Sequence, residues 1–102
     1  MQKVIRDGKV AVLYSPAFGA GWYSWNTEYP QLAFDPIIVQ YVEDGKMEEL
    51  ATYMAMAYPD VYTGGMDSLT VAWIPEGTLF RIHEYDGNES IEVKEEMDWL
   101  IA

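Results

Sequence analysis

The residues best equipped for chemistry fall in two stretches. The first is SPAFGAGWYSWN at 15–26, which carries Phe18, Gly19, Gly21, Trp22, Trp25 and Asn26. Its rings offer flat faces to a planar ligand, and its glycine-flanked amides offer donors to phosphate oxygens. The spacing is G-x-G only. Ser24 stands where the dinucleotide fingerprint needs a third glycine, and no Gly-Lys-Ser/Thr follows. The competing reading is a glycine-containing loop whose tryptophans cap one end of the core.

The second stretch is FRIHEYDGNE at 80–89. Arg81, His83 and Tyr85 alternate, so a strand presents them on one face, with Phe80 and Ile82 on the other. Arg binds phosphate through several donors, His hydrogen-bonds and Tyr stacks. Asn88 falls at a hairpin tip, where its amide both donates and accepts. The competing reading is an exposed polar strand face with a turn Asn chosen for its tolerance of left-handed backbone.

Other reaction chemistry lacks its residues. One His and no Cys leave no zinc ligand set, and no D-x-D-x-D-G loop exists for calcium. No serine lies in G-x-S-x-G, and His83 is the one imidazole available to any of them as a base. No carboxylate pair is singled out for general acid and base work. The expectation is a protein with no catalytic residues, no metal and no cofactor, in short not an enzyme. The six methionines read as helix-face packing.

Bulk properties narrow the partners. The 102 residues suit one domain, 1–102, with a modest core. Seventeen acids against six Lys and Arg give a net charge of −11, so no basic footprint for nucleic acid exists, and an anionic membrane surface repels the chain. Such acidity suits solubility or a basic partner. Four Trp and eight Tyr exceed what so small a core holds, which places some at a pocket or a subunit interface. The start MQKVIRDGKV has no apolar signal region, and no apolar run reaches membrane-spanning length. A cytoplasmic location is expected.

The elements that must carry these stretches follow from turns and periodicity. Asp7-Gly8 joins two β-prone runs as a type I′ hairpin turn. Val10, Val12 and Tyr14 share one face of the second strand and Ala11 and Leu13 the other, so a strand that is central or covered on both sides is expected. Asp35 and Pro36 start a helix with an apolar stripe of Ile37, Ile38, Tyr41 and Val42, and Gly45 stops it. A second helix follows with Met47, Leu50, Ala51, Met54 and Tyr58 on one face, ended by Pro59. LTVAWIP and TLFRIHEY read as strands around a Pro75-Glu76-Gly77 turn. Asp86-Gly87-Asn88 turns into SIEVKE, and MDWLIA closes the chain as a short strand or docked tail. The order β-β-α-α-β-β-β(-β) predicts an α+β fold, with an antiparallel sheet of about five to six strands on a central helix pair.

Taken together, VAVLYSPAFGAGWYSWN, the FDP helix start, YTGG, the WIPEGT turn and FRIHEYDGNE resemble small phage-encoded proteins. The class they are similar to is the phage anti-defence sponge that counters Thoeris immunity, the first-described type of Thoeris anti-defence protein. The resemblance implies a homo-oligomer, dimer or higher, in the host cytosol during infection. It implies binding and sequestering of a cyclic nucleotide signal, a cyclic ADP-ribose isomer, without cleavage. Phe80 is placed by it for adenine stacking, Asn88 for supporting that base and Arg81 for phosphate. The scarcity of basic residues departs from the family's phosphate sites and argues against a second, cyclic-oligonucleotide site. Two alternatives stand beside it. One is an acidic inhibitor that blocks a basic host surface, as a DNA mimic of anti-CRISPR or anti-restriction type does. The other is a structural module of a phage particle.

Overall fold

A computed structural model describes residues 1–94. The elements are β1 (Ile5–Arg6), β2 (Lys9–Tyr14), α1 (Pro36–Asp44), α2 (Met47–Ala57), β3 (Thr70–Pro75), β4 (Phe80–Tyr85) and β5 (Asn88–Val93), with 3-10 turns at Pro30–Ala33 and Met66–Ser68. The fold is α+β in the order β-β-α-α-β-β-β. Its strands divide into two antiparallel sheets, β1-β2-β3 and β4-β5. The closing segment MDWLIA lies outside the described residues.

Both hairpin turns form on Asp-Gly pairs. Asp7 and Gly8 take φ of 50° and 76°, and Asp86 and Gly87 take 52° and 81°. Positive φ at both central residues matches the twist of the flanking strands, and Asp tolerates it through its short polar side chain. β2 sits between β1 and β3, with Val10 opposite Ile74 and Leu13 opposite Val71. Ala11, Val12 and Leu13 are fully buried, as a strand with apolar residues on both faces requires.

α1 begins where Asp35 accepts hydrogen bonds from the amides of Ile37 and Ile38, at 2.9 and 3.4 Å. Pro36 fits because the first helical amide needs no partner. Gly45 ends the helix at φ 68°. The buried pair is Ile38 and Val39, whereas Ile37 is half exposed, so the stripe is turned one position from the expected one. In α2, Leu50 and Met54 are buried but Ala51 is exposed. Leu50 and Met54 pack with Ile38, Val39, Leu13, Leu32 and Trp22 into the main core.

β3 and β4 do not pair with each other. The turn after β3 is held to the first hairpin, where the Glu76 amide donates to the Gly8 carbonyl at 2.8 Å. The β4-β5 tip is held instead by the loop at 15–26. A two-stranded ribbon by itself is marginal in water, so this hairpin depends on that anchorage.

Candidate functional site

The two stretches singled out by their chemistry meet in space. The Gly19 amide donates to the Asp86 carbonyl at 2.7 Å, and the Gly21 amide donates to the Gly87 carbonyl at 2.8 Å. Gly19 and Gly21 hold φ of 75° and 51°, a backbone region that favours glycine. Close approach adds a second requirement. A Cβ on Gly21 would lie 2.1 Å from the Trp25 ring, and one on Gly87 would lie 2.9 Å from the Ala20 nitrogen. These glycines let two backbones touch.

The weld consumes the donors that a phosphate would need. A buried carboxylate completes it. Glu89 accepts from the Ser15 amide at 2.9 Å through one oxygen. Its other oxygen accepts from the Ser24 amide at 2.8 Å and the Ser24 hydroxyl at 2.7 Å. The loop is thus an anion site whose anion belongs to the same chain. Ser15 is tied further, its hydroxyl donating to the Gly65 carbonyl at 2.7 Å. Glu89 was not among the candidates from sequence. Strand alternation places it in the row of Phe80, Ile82 and Ile91, and a carboxylate in an apolar row is the signal that marked it.

The tryptophans separate. Trp22 is fully buried in the main core, and its indole N–H donates to the Leu32 carbonyl at 2.9 Å. Trp22 is therefore a plug. Trp25 is exposed and packs against Tyr62 with ring centroids 5.4 Å apart. Asn26 is buried and internal. Its amide nitrogen donates to the carbonyls of Trp22 at 2.7 Å and Tyr62 at 3.0 Å, and its oxygen accepts from the Tyr62 amide at 3.0 Å. Phe18 is exposed and meets Tyr85 edge to face at 6.3 Å.

On the outer face of the hairpin, Arg81 and His83 both engage Glu92. Arg81 donates at 3.2 Å, and the His83 ring nitrogen hydrogen-bonds the second carboxylate oxygen. The bond from His83 is the main reason the Glu92 carboxyl is held below its ordinary range, with Arg81 adding to it. Asn88 pairs with Tyr85 across the tip and lies away from Phe80, which sits at the far end of β4 opposite Val93. The base-stacking and base-supporting positions implied for Phe80 and Asn88 are therefore at opposite ends of one hairpin.

Two open clefts share Phe80 and Arg81. One, of about 300 Å³, is lined by Tyr23, Pro30, Ala33, Phe34, Phe80, Arg81 and Ile82. The other, of about 230 Å³, is lined by Leu79, Phe80, Arg81, Glu92 and Lys94. Phe34 and Phe80 meet edge to face at 6.1 Å, and the Lys3 ammonium lies 4.6 Å from the Phe34 ring centroid. Three of the six Lys and Arg thus gather around this pair of phenylalanines. Lys3, Tyr23, Phe34 and Lys94 were not candidates from sequence, because their elements are far apart in the chain.

Among the described residues, no group of three or more His, Asp or Glu is placed to hold a metal ion. No helix among them is long and apolar enough to cross a membrane. No family model, curated protein or solved structure matches the chain.

Proposed function

We propose that the protein is a non-enzymatic nucleotide-binding protein that sequesters a small cyclic nucleotide signal, such as a cyclic ADP-ribose isomer. The observation that carries this reading is the gathering of Lys3, Arg81 and Lys94 around Phe34 and Phe80 in a chain of net charge −11. A base enters the aromatic cleft beside Tyr23, Phe34 and Phe80. Its phosphates lie toward the neighbouring cleft, where Arg81 exchanges its contact with the Glu92 carboxylate for the phosphate and Lys94 adds positive charge against the repulsive field of the whole protein. The loop amides of Gly19 and Gly21 take no part, since hairpin carbonyls occupy them. Binding strength comes from stacking, worth about 1–3 kcal/mol per base. The ligand is held and not turned over. In an infected cell, such binding would lower the free concentration of an immune signal.

Titration calorimetry with cyclic ADP-ribose isomers and cyclic dinucleotides tests the reading. Binding by the native protein is expected, weakened roughly tenfold or more by Phe80→Ala, the loss of one stacking partner. Absence of heat with every one of these ligands overturns it. Undiminished affinity in Phe80→Ala removes the site.

A further inference from the structure

Four exposed rings border the weld between the loop and the hairpin. Phe18 is 68% exposed, Tyr85 77%, Trp25 44% and Tyr62 45%. They form two touching pairs, Phe18 with Tyr85 and Trp25 with Tyr62. The pairs are tied to the same backbone junction. The Tyr62 hydroxyl donates to the Gly19 carbonyl at 2.7 Å, and the Gly19 amide donates to the Asp86 carbonyl next to Tyr85. Asn26 grips both backbone groups of Tyr62, and Trp25 covers the space where Gly21 has no side chain. Trp25 and Tyr62 are thus held in place while facing water, so a partner meets this pair with little ordering still to do, and Phe18 and Tyr85 rest on each other beside it.

Area and charge together select the partner. The exposed parts of the four rings total roughly 500 Å². A stable protein–protein interface needs about 800 Å² from each side, so the corner alone is too small for a permanent dimer. Two copies would also each carry −11. Residues 10–45 and 47–80, which supply three of the four rings, contain no Lys or Arg; Asp86 follows Tyr85 directly and Asp60 stands two positions before Tyr62. Arg81 and His83, on the strand face of Tyr85, are engaged by Glu92. Exposed ring faces in an anionic setting attract guanidinium and ammonium groups.

We propose that this corner docks a short basic segment of a partner protein, whose Arg or Lys side chains lie on the rings of Phe18, Tyr85, Trp25 and Tyr62. The surface is separate from the Phe34–Phe80 clefts, and its failure would leave the nucleotide reading standing. The probe is a fluorescein-labelled ten-residue peptide of alternating Arg and Gly, read by anisotropy, with a Gln-for-Arg peptide as control. Two variants, Phe18→Ser and Tyr85→Ser, keep the net charge, so general electrostatic attraction survives in them. Preferential binding of the Arg peptide is expected, weakened at least tenfold in the double variant and with a change in native Trp fluorescence that Trp25→Phe abolishes. Equal binding of both peptides, or equal binding by the native protein and the double variant, overturns the proposal. So does a sedimentation result in which the native protein is a dimer and the double variant a monomer, since the occupant is then a second copy. Because Phe18 and Tyr85 are surface residues, their single variants serve as a second reading should the double variant melt early.

Discussion

The carboxylate of Glu89 sits 2.9 Å from the backbone amide of Ser15, a residue 74 positions earlier in the chain. This bond joins the β4-β5 hairpin to the loop that follows β2, and its partners at Ser24 close the same joint. The Glu89 amide donates in turn to the Ser15 carbonyl at 3.0 Å. Each buried side-chain nitrogen and oxygen among the described residues has a hydrogen-bond partner.

Glu89→Gln keeps the shape and exchanges an acceptor oxygen for an NH₂ that faces donors. At least one buried donor then loses its partner, at a cost of about 2–3 kcal/mol. Urea unfolding is expected to show that loss. Hydrogen exchange at the Ser15 and Ser24 amides is expected to speed up more than exchange within α2.

The three glycines of the joint separate strain from collision. Alanine at Gly19 meets open space but keeps φ at 75°, and costs about 1 kcal/mol. Alanine at Gly87 adds contact with the Ala20 nitrogen, and alanine at Gly21 displaces Trp25. These two are expected to cost about 2–3 kcal/mol each. Thermal melting should rank Gly19→Ala as the mildest of the three.

Asp35 does two tasks at once. One oxygen caps α1, and the other accepts from the hydroxyls of Tyr53 and Tyr58, each at 2.7 Å. Burial, and then the bond to Asp35, push the Tyr53 phenol up to about 12, and Tyr58 is raised by the same causes. A phenol raised above its unfolded value of 10.0 contributes stability that is complete below pH 10. That contribution falls as pH rises from 10 through 12. Ultraviolet titration of tyrosinate should show two late phenols, and Tyr53→Phe should remove one and cost about 1.5 kcal/mol at neutral pH.

Glu92 tests the outer face of the hairpin. Its carboxyl is lowered from 4.5 by His83 first and Arg81 second. A lowered carboxyl contributes stability above its unfolded value and loses it as pH falls through the folded one. NMR of the side-chain carboxyl should give a midpoint below 4.5 in the native protein. His83→Ala should move that midpoint upward more than Arg81→Ala does.

Much of the fold was legible because its signals are local. Asp7-Gly8 and Asp86-Gly87 announce their turns through the backbone angles they tolerate. Asp35-Pro36 and Gly45 announce both ends of α1. The division into two sheets was not legible, because it rests on the capture of a hairpin tip by a distant loop. The placement of the tryptophans was equally hidden. Trp22 and Trp25 are three residues apart in one aromatic loop, and only packing against Leu13, Leu32 and Ile38 makes one a core residue.

The stretch SPAFGAGWYSWN determined by itself that a glycine-bearing, amide-rich loop would form and that it matched no known phosphate motif. Only the tertiary structure decided what those amides bind. A tethered carboxylate and two hairpin carbonyls reach them without the entropy loss of capturing a free ligand. The chain therefore fills its own anion site, and the binding we propose falls instead to Phe34, Phe80 and the exposed rings.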